Sequence, residues 1–105
     1  MIFELRTYTA HPGRTADYLK QYETMALPLQ NKHLGGLVGF YLSEIGPLNQ
    51  MVHLWRFASL ADREQRRTAL EADPAWQAYR VRNKEMGAIR EQESRILKPV
   101  PFSPA

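Results

Sequence analysis

The sequence predicts an α+β fold with a ferredoxin-like subunit plan, an antiparallel four-stranded sheet carrying its helices on one side in the order β-α-β-β-α-α-β. Three observations predict it. Residues 2–9 alternate with the two-residue period of a strand, Tyr18 to Leu29 repeat at the three-and-four spacing of a helix, and two strand-like runs flank the turn Gly46-Pro47-Leu48-Asn49-Gln50. With 105 residues, no linker and no internal repeat, the chain is expected to form a single domain over 1–105.

In the first strand Phe3, Leu5, Thr7 and Thr9 point one way, while Ile2, Glu4, Arg6 and Tyr8 point the other. His11-Pro12-Gly13 then turns the chain. From Arg14 onward Tyr18, Leu19, Tyr22, Met25, Ala26 and Leu29 share one face of a helix, with Pro28 inside it. Proline has no N–H and crowds the carbonyl four residues back, so a kink or loosening is expected near Thr24. Gly35-Gly36 stops the helix, and Leu37 to Ile45 pairs with Met51 to Phe57 as a hairpin. Ser59 and Asp62 offer N-cap oxygens to a helix running through about Ala72. Asp73-Pro74 opens another, with proline at the first helical position and Trp76, Tyr79, Met86 and Ile89 as its apolar stripe. A last strand is expected from Glu91 to Lys98, before a proline-rich tail.

Composition removes several classes of function. A chain that is 44% hydrophobic and 24% charged is neither disordered nor fibrous. It has no cysteine, hence no disulfide, thiolate nucleophile or thiolate metal site. No run reaches the roughly 18–20 apolar residues of a membrane span and the N-terminus has no signal-like pattern, so the expected location is cytoplasmic, with no membrane partner. The net charge of +3 gathers at Arg63, Arg66 and Arg67, but Asp62, Glu64 and Glu71 interrupt that cluster. It reads as a solvated helix face rather than a nucleic-acid surface. Histidines fall at no metal-ligand spacing, and there is neither a glycine-rich phosphate loop nor a nucleophile elbow, so no metal and no cofactor are expected.

The hairpin strands carry a further signal. Leu37 and Tyr41 alternate with Val38, Phe40 and Leu42, and Met51, His53, Trp55 and Phe57 alternate with Val52 and Leu54, so neither face reads as wet. An antiparallel sheet with a solvated face alternates apolar with polar. The helices cover only one side, and a bare second side would expose more apolar surface than a soluble monomer usually tolerates. Packing two sheets face to face in a homodimer removes it. A monomer covered by its own tail, Pro99 to Ala105, is the competing arrangement.

Glu4-Leu5-Arg6-Thr7-Tyr8, Pro12-Gly13, Gly46-Pro47-Leu48-Asn49, His53-Leu54-Trp55, Asp73-Pro74-Ala75-Trp76, Leu97-Lys98-Pro99 and Phe102-Ser103-Pro104 occur in an order and spacing that resemble the NIPSNAP family over essentially the whole chain. The resemblance implies a dimeric α+β barrel, two ferredoxin-like subunits paired sheet to sheet, and a biochemical activity that is unsettled across the family. Haem-degrading and cofactor-free monooxygenases share that barrel, a link of fold alone.

Candidate site residues follow from shared faces. Glu4, Arg6 and Tyr8 project together from a central strand into an apolar layer, which is costly unless they are satisfied. They are either a polar patch in a ligand pocket or an ion pair completed by a partner strand or across the dimer, with Arg95 or Glu93 as possible members. His53 and Trp55 lie two apart on one strand face, either as a functional histidine with an aromatic wall or as a hydrogen-bonded core pair. Tyr41 completes the set of pocket candidates. Asn49 is expected to satisfy local backbone, and Tyr22, Met25, Trp76 and Met86 to be helix core. The leading functional expectation is a homodimer binding a small apolar or aromatic molecule. The alternative is a haem-dependent or cofactor-independent monooxygenase using His53 as iron ligand, Tyr8 as proton donor and Arg6 as carboxylate anchor; the catalytic residues are otherwise unknown.

Overall fold

The computed structural model describes residues 1–105. Strand β1 (Ile2–Ala10) leads into α1 (Thr15–Gln21), a π-helical turn (Tyr22–Ala26) and α2 (Leu27–His33). The hairpin β2 (Leu37–Leu42) and β3 (Gln50–Phe57) follows, then α3 (Leu60–Ala72), α4 (Pro74–Met86) and β4 (Ile89–Leu97). All three strand pairings are antiparallel and the sheet order is β2-β3-β1-β4, the ferredoxin-like α+β arrangement that the sequence predicts. The molecule measures 41 × 37 × 18 Å, and its thin dimension holds two layers, sheet and helices.

Strand register decides what faces the helices. Glu4, Arg6 and Tyr8 of β1 lie opposite Trp55, His53 and Met51 of β3, and opposite Ile96, Ser94 and Gln92 of β4. The even positions of β1 and β4 and the odd positions of β3 therefore share the covered face. Met51, Trp55 and Phe57 there, with Leu70 of α3, form the centre of the core. Ser59 caps α3 by accepting from the Asp62 amide at 3.0 Å, and Asp73 caps α4 by accepting from the Ala75 amide at 2.9 Å, both as the capping residues predict.

Pro28 acts where the sequence places it, and the loosening takes the form of a π turn. With no donor at residue 28, the helix cannot keep its four-residue ladder there, and the Leu27 amide bonds the Tyr22 carbonyl five residues back. Four boundaries and faces differ from expectation. The second strand stops at Leu42 rather than Ile45, which is 94% exposed. A register shift between Leu37 and Gly39 breaks the odd-even alternation, so that Leu37 shares the helix side with Phe40 and Leu42. Gly87, at φ 60°, ends α4 in the left-handed conformation, so Ile89 belongs to β4 and not to the α4 stripe. Finally, Glu93 and Arg95 lie on the far face of β4 and bond one another at 2.6 Å, leaving Ser94 to face Glu4.

On the face away from the helices Leu5 pairs across from Leu54 and Thr7 from Val52, with Tyr41 of β2 60% exposed. On this face Phe3 is 6% exposed, whereas Phe102 of the tail is 89% exposed. No helix is long and apolar enough to cross a membrane.

Candidate functional site

Between the helices and the β1–β4 half of the sheet lies a cavity of about 510 Å³, within the range of small-molecule sites. Its aromatic walls are Tyr8 from β1, Tyr18 and Tyr22 from the first helical run, and Trp76 and Tyr79 from α4. Arg6, Gln30, Arg67, Asn83 and Gln92 supply polar groups around them. Tyr18 and Tyr22 stack at 6.1 Å and Trp76 packs on Tyr79 at 5.2 Å, which leaves flat surfaces of the kind that hold rings.

The π turn helps to build this wall. In an uninterrupted α-helix, residues twelve apart end roughly a third of a turn out of line, whereas one wide turn absorbs the surplus residue. Tyr18, Tyr22 and Gln30 thereby all reach the same cavity, and the Tyr22 hydroxyl donates to Gln30 Oε1. Burial pushes the Tyr79 hydroxyl up to about 12 and raises those of Tyr18 and Tyr22 well above the ordinary phenol value, so all three remain donors.

Beside the cavity Glu4 is 1% exposed and paired from three directions. Arg63 of α3 donates to both carboxylate oxygens at 2.9 and 3.1 Å, Ser94 Oγ donates at 2.5 Å, and Arg6 approaches to 3.6 Å. Burial alone would raise its pKa, but the Arg63 and Ser94 hydrogen bonds with the charge of Arg6 reverse that, so the carboxyl titrates below its usual range. The basic cluster of α3 is accordingly not the solvated face that its composition predicts. Arg63 and Arg67, four residues apart on one side, turn inward with side chains 25% and 23% exposed, while Arg66 stays outside, bonding Asp62 and the Leu34 carbonyl.

His53 lies one layer deeper, 1% exposed. Trp55 Nε1 donates to its Nδ1 at 2.7 Å, which fixes the proton of the neutral ring on Nε2. Phe40 stacks on the imidazole at 4.4 Å and Tyr8 meets it edge-on at 5.0 Å. Burial first, then the positive charge of Arg6, pushes its pKa down to about 3. A haem iron would need a free nitrogen lone pair on an accessible edge, and this ring offers a buried N–H instead. The residues present do not fit haem ligation through His53.

Of the sequence candidates, Arg6 and Tyr8 line the cavity, Glu4 pairs with Arg6 beside it, and His53 and Trp55 form a bonded pair buried outside its lining. Tyr41 stands apart on the face away from the helices, its ring over Gly39. Asn49 adopts φ 60° in the hairpin turn, where its carbonyl accepts from the Ala10 amide at 2.9 Å. Tyr22 and Trp76 belong to the buried core, as their helix spacing predicts, and serve as cavity walls as well. Gln30 and Arg67 gave no sequence signal as site residues. The one trace available was that Arg63, Arg67 and Glu71 repeat every four positions, a stripe of charge on a helix that must also cover a sheet.

Fold and site together define an α+β ferredoxin-like protein with an aromatic, donor-rich cleft beneath its helices. The chain belongs to the NIPSNAP family, whose model matches residues 3–104. It is 44% identical to a crystallised protein from Agrobacterium tumefaciens, over 99% of this chain and 98% of that chain, with a TM-score of 0.92. It is 32% identical to the NipSnap homolog of Dictyostelium discoideum over 94% of this chain, yet spans only 43% of that protein's length, and 37% of the Drosophila melanogaster NipSnap. A putative antibiotic biosynthesis monooxygenase from Nitrosomonas europaea shares the fold, with a TM-score of 0.67 at 11% identity over 95% of this chain and 99% of that chain.

Proposed function

We propose that the chain is a homodimeric binding protein for a small aromatic molecule, held in the cleft between α4, the first helical run and β1. The observation that carries this reading is the cavity of about 510 Å³ walled by five aromatic side chains. Binding is favoured over acid–base chemistry because Glu71, the single carboxylate on the cavity lining, is already engaged by Arg67 at 3.4 Å and Arg80 at 2.8 Å. The sealed, neutral His53 offers no accessible base either. Support for the dimer comes from the face away from the helices, where Leu5, Val52 and Leu54 form an apolar row beside the exposed Tyr41.

The cleft reading is tested by saturation-transfer NMR with 2-naphthamide and quinoline, neutral fused-ring probes. Transfer to their ring protons is expected with the intact protein and is lost in Trp76→Ala, while that variant still unfolds cooperatively. Absence of transfer for both probes at millimolar concentration contradicts the proposal.

A further inference from the structure

Charge around the cleft is unbalanced. Two carboxylates, Glu4 and Glu71, face four guanidiniums, Arg6, Arg63, Arg67 and Arg80, and Lys84 adds a fifth cation to the lining. Glu4 is already held by both nitrogens of an Arg63 fork, so Arg6 has only the weaker 3.6 Å approach to it. Glu71 divides itself between Arg67 and Arg80, and its contact with Arg67 is the longer one, 3.4 Å against 2.8 Å. Arg67 feels this as a lowered pKa, caused by burial first and by Arg6 second.

Hydrogen bonding is unbalanced in the same direction. Arg6 Nε and Trp76 Nε1 are buried N–H donors without a partner, and both residues line the cavity. A buried donor left unpaired costs on the order of 1–3 kcal/mol, so two in one cleft point to an acceptor supplied from outside the chain. Asn83 Oδ1 is the one orphaned acceptor on the lining, matched by a single hydroxyl or amine on the same molecule.

We infer that the ligand is an aromatic carboxylate, its ring between Tyr18, Tyr22, Trp76 and Tyr79 and its carboxylate against Arg6, Arg67 and the Trp76 indole N–H. This rests on the cleft reading above and adds to it the chemical class of the ligand. A carboxylate suits the planar fork of guanidinium donors. Phosphate suits the same fork, but no glycine lines the cavity to add the backbone-amide cradle of a phosphate loop.

The test is calorimetric titration of the full chain with 2-naphthoate and with 2-naphthamide, which share the ring and differ in charge. Naphthoate is expected to bind about tenfold tighter or better, the value of one charge-assisted hydrogen bond, and to weaken as salt is raised. In Arg67→Gln the gap narrows to about threefold or less, since one of the two facing guanidiniums is gone. Trp76→Phe keeps a ring in place without its N–H and weakens naphthoate more than the amide. It provides the same test should Arg67→Gln fold poorly. Equal binding of the two probes overturns the carboxylate inference and leaves the cleft reading standing. Binding of neither overturns both, and tighter binding of 2-naphthyl phosphate than of naphthoate overturns the choice of anion.

Discussion

His53 shows how a single residue couples burial to stability. An unfolded histidine takes up a proton near pH 6.5, whereas the folded chain holds His53 neutral down to about 3. As pH falls, the unfolded state therefore binds that proton first. The stability held in the neutral ring is complete above 6.5 and drains away toward 3. Glu4, whose folded pKa is also depressed, adds a second loss that begins only below its ordinary value of 4.5. Unfolding free energies from urea titration are expected to be flat from pH 6.5 up to the ordinary phenol range near 10 and to fall between 6.5 and 4.5 with a slope approaching about 1.4 kcal/mol per pH unit. His53→Gln removes that slope and keeps the steeper loss at lower pH. An unchanged slope in the variant would assign the acid sensitivity elsewhere. At this scale the sequence makes the His53–Trp55 pairing legible, because two residues apart on a strand must share a face. What it hides is the cover, since Phe40, Tyr8 and Tyr22 reach the ring from three other segments.

Elements read more easily than the contacts between them. Capping at Ser59 and Asp73, the break at Gly35-Gly36 and the weak point before Pro28 are all local events, governed by a few neighbouring residues. Face assignments that depend on a bulge or a strand start are not. One register shift in β2 moves Leu37 to the helix side, and the register of β4 puts Ser94 rather than Arg95 against Glu4. The inward turn of Arg63 and Arg67 was likewise invisible, because a charged stripe looks the same whether it meets water or a buried carboxylate.

Close approach of elements also separates two glycines that look alike in sequence. Gly36 and Gly13 both have positive φ, 62° and 82°, yet a Cβ on Gly36 would fall 2.3 Å from the backbone oxygen of Arg56, while one on Gly13 meets nothing. The Gly36 carbonyl also accepts from the Arg56 amide at 2.8 Å, so relief by backbone movement breaks a bond between the β2 entry and β3. Gly13→Ala is expected to cost about 1 kcal/mol for its conformation alone, and Gly36→Ala on the order of 3 kcal/mol or more. Chemical denaturation of both variants measures the difference. Equal losses would mean that the β2 entry yields without cost.

For the molecule as a whole, the fold class was legible because hydrophobic period and turn chemistry agree along most of the chain. The cleft was not, since its walls come from residues far apart in sequence whose types match ordinary core. Two layers only 18 Å thick place helices on one sheet face, and the proposed homodimer uses the other. Light scattering after size exclusion at low micromolar concentration is expected to give twice the 12.2 kDa subunit mass, and Leu54→Lys to give the subunit mass by placing a charge beside Leu5. Wild type eluting at 12.2 kDa would refute the assembly. It would leave the cleft untouched, because that site lies on the opposite face.

The cleft itself is tested most directly by amide and side-chain ¹⁵N spectra recorded while 2-naphthoate is added. The largest shifts are expected at the Trp76 indole N–H and at the Nε–H signals of Arg6 and Arg67, with the signals of β2 near Tyr41 unmoved. Shifts confined to Tyr41, Val52 and Leu54 would place the ligand on the opposite side of the sheet and contradict the account.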